Sequence, residues 1–188
     1  MTKWILGSGS PRRKELLAGI GIEFSVRTKD TEEIYPKNLD PQEVPLFLAE
    51  LKAKALLPDL AENETVICAD TVVILNGEII GKPVNRDDAI SMLKRLSGQT
   101  HEVVTGVFIG NTKKQLLQSD STMVTFTMLT DDEIANYVDL YQPFDKAGSY
   151  GVQEWLGYVA VEKLVGSYTN VMGLPTHVVY RMIEDWDN

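Results

Sequence analysis

One cysteine, two histidines and no long apolar run are the first features of this 188-residue chain. A lone cysteine, Cys68, excludes a disulfide framework and a cysteine-rich zinc site, and it suits a reducing compartment. Two histidines, His101 and His177, are too few for a histidine-rich metal cluster. No stretch approaches the ~20 apolar residues of a membrane span, and the opening residues 1–8 are too short and polar for a signal peptide. Together these absences predict a cytoplasmic protein without a membrane partner. Positive charge is also scarce: 18 Lys plus Arg stand against 27 Asp plus Glu, a net charge of -9. That balance argues against binding a nucleic-acid polymer through a broad basic face. It leaves open a small anion held in a local basic pocket. At 44% hydrophobic and 24% charged residues the composition is that of a globular domain. A chain of this length buries roughly 70% of its unfolded surface, enough for a core without disulfides or structural metal. No repeat, low-complexity tract or linker interrupts it, so a single domain over residues 1–188 is expected.

Hydrophobic periodicity and turn residues predict alternating strands and helices. Residues 3–7 form a short apolar strand. In Ser8-Gly9-Ser10-Pro11, Ser10 is placed to cap and Pro11 to begin a helix with an apolar stripe of Leu16, Leu17 and Ile20, stopped by Gly21. A strand over 22–27 and a polar loop carrying Asp30, Glu32 and Glu33 follow. Asp40-Pro41 opens a second helix whose buried face holds Val44, Phe47, Leu48, Leu51 and Ala55, with Pro58 beyond its end. Residues 65–75 are the most strand-like run, and Asn76-Gly77 marks a hairpin. Asn85 with Asp88 opens a helix carrying Ile90, Leu93 and Leu96, and Gly98 closes it. Strands follow over 101–109 and 123–128. Thr130 and Glu133 form a capping box for a helix that ends before Pro143. A glycine-rich loop, a strand over 158–164 and a last helix from about Pro175 complete an α/β chain with a mixed sheet and flanking helices.

Three groups of residues could carry chemistry. The turn Ser8-Gly9-Ser10-Pro11-Arg12-Arg13 enters a helix, where unpaired N–H groups and the positive end of the dipole favour an anion. Gly7 and Gly9 permit close backbone approach, the serines add hydroxyls, and Arg12 and Arg13 add forks suited to phosphate oxygens. A capped helix with two exposed arginines accounts for the segment equally well. Neither a Walker loop nor a G-x-G-x-x-G fingerprint is present. Asp70, among Val66, Ile67, Val72, Val73 and Ile74, is costly to bury unless it is paired, binds a metal or lines a cleft. Cys68 shares its strand face, but without an adjacent base it reads as a small buried apolar residue. Finally, Lys52 or Lys54, Lys82 and Lys146 sit at defined places, although a single lysine is usually a solvated charge. Glu32 and Glu33 are ambiguous in the same way. With Asp70 they could form a magnesium site completed by substrate phosphates.

Taken in order, these pieces resemble the Maf family of nucleoside triphosphate pyrophosphatases over nearly the whole chain. The residues that carry the resemblance are Ser8-Gly9-Ser10-Pro11-Arg12-Arg13, the Glu33 region, residues 48–53, Ala69-Asp70-Thr71, Gly81-Lys82-Pro83, residues 97–106, residues 145–153 and residues 166–175. The resemblance implies an elongated mixed β-sheet in two lobes around a central cleft, like inosine triphosphate pyrophosphatases. It implies hydrolysis of a nucleoside triphosphate between its α and β phosphates, with Mg²⁺ or Mn²⁺ as divalent cation. Asp70 is implied as the general base, with Lys52 and Lys82 neutralising charge. Ser8, Ser10 and Arg13 would bind the triphosphate, and Glu33 and Asp70 the metal. Arg12, Thr71 and Gln153 resemble the branch acting on dTTP and UTP. A glutamine amide accepts from N3–H and donates to O4 of uracil or thymine, a pairing cytosine does not match. Other bases, as in 7-methyl-GTP or ITP and XTP, and a nucleotide-binding regulator of cell division are the alternatives. A homodimer is compatible with the family.

Overall fold

In the computed structural model, which describes residues 2–187, the chain forms seven strands and seven α-helices. They are β1 (Lys3–Leu6), α1 (Pro11–Gly19), β2 (Phe24–Val26), α2 (Val44–Leu56), β3 (Glu64–Leu75), β4 (Glu78–Ile80), α3 (Arg86–Leu96), β5 (Thr100–Gly110), β6 (Gln115–Phe126), α4 (Asp131–Tyr141), α5 (Trp155–Ala160), β7 (Val161–Val165), α6 (Tyr168–Met172) and α7 (Thr176–Asp187). All seven strands join one sheet in the order β2-β1-β3-β5-β6-β7, with β4 also paired to β3. The sheet is mixed, as expected: β1 runs parallel to β2 and β3, whereas β4 is antiparallel to β3 and β7 to β6.

The chain divides into two compact units, 1–71 with 105–120 and 173–188, and 72–104 with 121–172. No linker betrays this in the sequence because the chain passes from one unit to the other within β3, β5 and β6 and directly after α6.

In the first unit the two-residue period of the strands sorts side chains to two faces. Leu6, Ile67, Ala69, Val107 and Ile109 pack with Leu17 of α1 and Val179, Met182 and Ile183 of α7. Ile5, Val66, Cys68 and Phe108 pack on the other side against Ala49, Ala53 and Leu56 of α2. Helix α2 begins three residues later than Asp40-Pro41 suggests, and residues 41–43 form a turn. Its buried face is Val44, Pro45, Leu48, Ala49, Ala53 and Leu56, not the Phe47, Leu51 and Ala55 side. Close packing explains the rotation. A Cβ on Gly106 would stand 2.3 Å from the Leu46 nitrogen, so the helix presses on bare backbone and presents its small residues to the sheet.

In the second unit, α3, α4 and α5 cover one apolar cluster that includes Leu93, Leu96, Val124, Phe126, Ile134, Tyr137 and Leu156. Asn85 accepts from the Asp88 N–H at the start of α3, and the Thr130–Glu133 capping box is complete. Asn76 and Gly77 both have positive φ, 52° and 79°, as the two-residue hairpin requires. Two expectations fail here, the first being the strand expected over 123–128, which begins at Gln115 and ends at Phe126. Tyr158 lies in α5, and the strand begins only at Val161. The short helix α6 was not anticipated.

His101 is buried in β5, edge-on to Phe126 at 4.8 Å between centroids, with Nε2 2.7 Å from the Tyr150 hydroxyl. Nδ1 has no hydrogen-bond partner. Burial lowers the pKa of the ring to about 4. Because the unfolded chain binds this proton at higher pH than the folded one, stability falls as pH drops from about 6.5 toward 4, by up to ~3 kcal/mol. His101→Gln should flatten that part of the profile relative to wild type in denaturant titrations between pH 7 and pH 4. Parallel profiles would show that the ring does not contribute.

Candidate active site

The turn between β1 and α1 forms part of a cavity of about 200 Å³ in the first unit. Its lining includes Gly7, Ser8, Gly9, Arg13, Glu33, Lys52 and the loop residues 28–31. Pro11 opens α1 and Ser10 occupies the N-cap, yet the Ser10 side chain makes no capping bond. Instead the Ser10 N–H donates to Ser8 Oγ at 3.3 Å, so Ser8 closes the turn. Gly7 is required on steric grounds, since a Cβ there would lie 2.4 Å from the Cys68 sulfur.

Arg13 projects from the first turn of α1 onto neutral acceptors. Nε donates to the Gly173 carbonyl at 2.8 Å, one terminal nitrogen to Ser8 Oγ at 3.3 Å and the other to Thr71 Oγ1 at 3.2 Å. Thr71 is itself fixed by the buried Thr105 hydroxyl at 2.9 Å. Among the described residues Arg13 forms no ion pair. Burial holds its pKa below the ordinary guanidinium value, opposed mainly by the charge of Asp70. An arginine keeps its charge at neutral pH even so, and here no carboxylate neutralises it directly. Its geometry is fixed before any ligand arrives, which is the property an anion site needs.

Asp70 follows Val66 and Cys68 on the strand face covered by α2, and there it meets Lys52. The ammonium lies 2.5 Å from Asp70 Oδ1 and 2.8 Å from Glu33 Oε1. The sequence expectation that a buried aspartate must be paired is met by this contact, with the Asp70 side chain only 10% exposed. Of the two loop acids, it is Glu33 that reaches Lys52; Glu32 is exposed. Of the cavity cations, Lys52 is paired with Glu33 and Asp70 and Lys29 with Asp59, so beyond Arg13 the cradle carries little uncompensated positive charge. Among the described residues no group of three His, Cys, Asp or Glu side chains is gathered for a metal. Two converging carboxylates are nonetheless what Mg²⁺ commonly takes from a protein when phosphates and water supply the remainder. The residues present therefore fit such an ion.

The structure thus brings Ser8, Arg13, Glu33, Lys52, Asp70 and Thr71 together in the first unit, with Ser10 and Arg12 on the same turn. Lys82, exposed after β4, and Gln153, in the turn before α5, belong to the second unit. Gln153 Oε1 is buried without a hydrogen-bond partner. Lys146 corrects the expectation of a solvated charge: it is buried, 2.7 Å from Asp145 and 3.1 Å from Glu154. Nothing in its flanking sequence announces this, because Glu154 approaches it only in the folded chain. Thr28, Lys29 and Thr31 line the cavity without having been singled out; their signal was only proximity to Glu33 in the chain. His177 is exposed, 3.8 Å from Asp120.

A family model described as "Maf-like protein" matches residues 3–186. The chain belongs to this family. It is 50% identical over 187 residues to the dTTP/UTP pyrophosphatase of Porphyromonas gingivalis, spanning 98% of this chain and 94% of the relative. The dTTP/UTP pyrophosphatases of Flavobacterium psychrophilum and Bacteroides fragilis are each 51% identical, over 95% and 97% of this chain and 92% and 95% of theirs. Among solved structures, the Staphylococcus aureus Ham1 protein superimposes with a TM-score of 0.50 at 17% identity, covering 66% of this chain and 72% of that one. That likeness concerns the fold.

Cys68 lies two positions before Asp70 in this Maf-family site, and burial pushes its thiol up to about 12. The thiolate is the reactive form. Native protein should therefore resist iodoacetamide at pH 8 and become labelled on unfolding, as read by intact mass. Labelling of the native state at the unfolded rate would contradict the burial.

Proposed function

We propose that this chain hydrolyses dTTP and UTP to the nucleoside monophosphate and pyrophosphate. The observation that carries the reading is Lys52 set between the carboxylates of Glu33 and Asp70 beside the pre-fixed Arg13. The relatives at about 50% identity over almost the full chain, each named dTTP/UTP pyrophosphatase, support the choice of substrate.

Ser8, Ser10, Arg13 and the N-terminus of α1 hold phosphate oxygens through hydroxyl, guanidinium and backbone donors. Lys52 places an ammonium where negative charge grows during cleavage, and the same role is assigned to Lys82 of the second unit. Asp70 accepts the proton of the attacking water as its oxygen bonds to the α phosphorus and the bond to the β phosphate breaks. A divalent cation, Mg²⁺ or Mn²⁺, would be held by Glu33 and Asp70, and when bound it would offset phosphate charge that the nearly neutral cradle cannot. Arg12, Thr71 and Gln153 are assigned to base preference. For Thr71 the hydroxyl also braces Arg13, and for Gln153 the support is its buried, unpartnered amide oxygen. A free nucleotide as substrate suits a cytoplasmic address.

Incubation with dTTP and Mg²⁺ should yield dTMP and pyrophosphate; dTDP with orthophosphate, or no turnover, would overturn the reading. Asp70→Asn should lower kcat by roughly 10²- to 10⁴-fold in a folded protein checked by circular dichroism. Near-normal turnover would remove Asp70 from the reaction. Chelation with EDTA should abolish activity and excess Mg²⁺ or Mn²⁺ restore it, whereas full activity after exhaustive chelation would exclude the cation from the assignment.

A further inference from the structure

The turn that carries Gln153 is fastened at both of its ends, while the glutamine side chain is not. Residues 151–154 close on themselves, the Glu154 N–H donating to the Gly151 carbonyl at 3.0 Å. The buried Tyr137 hydroxyl of α4 holds both ends: it accepts from the Gly151 N–H at 3.1 Å and donates to Glu154 Oε2. The other carboxylate oxygen of Glu154 takes the ammonium of Lys146 at 3.1 Å, and that ammonium is otherwise held by Asp145. The polarity is consistent throughout, since the phenol has one hydrogen to give and the carboxylate needs it, while the amide hydrogen takes the phenol lone pair. Burial first, and then the bond to Glu154, raises the Tyr137 pKa, so the phenol stays a donor. Space is closed as well. A Cβ on Gly151 would lie 2.7 Å from the Glu154 carboxyl carbon, and one on Gly157 1.8 Å from the Val152 carbonyl oxygen.

We infer that Tyr137, Lys146 and Glu154 are positioning residues for Gln153, fixing the backbone from which its amide projects so that a base is read by hydrogen-bond polarity. This rests on the assignment of Gln153 to base recognition. A buried ion pair and a bifunctional phenol are a costly way to hold a short turn, because desolvating those charges offsets much of their attraction. What the arrangement supplies is one conformation. With the backbone of the turn and the neighbouring carboxylate both tied, the amide oxygen of Gln153 is left buried without a protein partner, and a turn of its side-chain torsions gives it a donor such as the N3–H of uracil or thymine. A site of this kind rejects a mismatched edge by leaving the amide unpaired.

The test compares kcat/KM for UTP with that for CTP in wild type, Gln153→Ala, Tyr137→Phe, Glu154→Gln and the double variant Tyr137→Phe/Gln153→Ala, with melting temperatures measured in parallel. Tyr137→Phe and Glu154→Gln should each reduce the UTP:CTP ratio about tenfold, mainly by raising KM for UTP, while kcat at saturation changes little. In the Gln153→Ala background, Tyr137→Phe should have no further effect on the ratio, although it still lowers the melting temperature. Two results overturn the inference: an unchanged ratio in both folded single variants, or an equal drop in the ratio from Tyr137→Phe with and without Gln153. If Gln153→Ala itself leaves the ratio at the wild-type value, it is the base-reading assignment that fails. Should Tyr137→Phe not fold, Glu154→Gln, which keeps the size of the side chain, carries the same comparison.

Discussion

A carboxylate in the middle of an apolar strand has to be met, and Lys52 meets Asp70. The residues before and after Asp70 in β3 are almost all buried hydrophobics, so a charge here without a partner would be expelled or neutralised. The pair does not represent a large net gain in stability, since both groups lose water to form it. Its consequence is placement. The contact fixes which residue of α2 stands over which residue of β3, and it brings Glu33, on an otherwise irregular exposed loop, to a defined position. Removal of the lysine would leave two carboxylates facing each other with their charge uncompensated. The fold of this unit and its capacity for chemistry therefore depend on the same three side chains.

Arg13 shows the complementary solution. Three of its five N–H donors go to a carbonyl and two hydroxyls, which orient the guanidinium without cancelling its charge. Had a carboxylate taken that place, the arginine would be equally rigid but electrostatically spent. The chain of contacts Thr105 to Thr71 to Arg13 is thus a way to hold a half-buried cation ready for an anion. A protein with net charge -9 cannot rely on a diffuse positive field to attract a nucleotide. It has to present a few cations at short range, in a setting that exposes no broad basic face to polynucleotides.

The parts of the structure that could be read from sequence are those decided within a few residues. Pro11 after Ser10, the Asn76-Gly77 hairpin, Asn85 with Asp88 and the Thr130–Glu133 box all depend on local backbone chemistry, and each stands where expected. The Asp70 assignment was also legible, because the cost of burying a charge is visible in its neighbours. What failed depends on distant partners. The buried face of α2 turns toward Ala49 and Ala53 because Gly106 lets the helix approach. Tyr158 sits in a helix, not a strand, because Glu154 starts α5 and Gly157 packs on the Val152 carbonyl. Lys146 looks like any surface lysine until Glu154 closes on it. Ser10 stands at the cap without a capping bond, and its own N–H is held by Ser8 Oγ.

Cys68 and Asp70 make the last point most sharply, since they are two positions apart on one face of one strand. Both are covered by α2, and both could be called polar residues in an apolar run. Over Cys68 lie the small side chains of Ala49 and Ala53, which offer no hydrogen bond, and the thiol is driven further from its ionised form. Over Asp70 lies Lys52, one residue before Ala53, whose stem reaches along the helix and whose ammonium meets the carboxylate. The difference between a thiol kept neutral and an ion-paired carboxylate is a single step along α2. Residue type alone does not make that distinction; the register between helix and strand does.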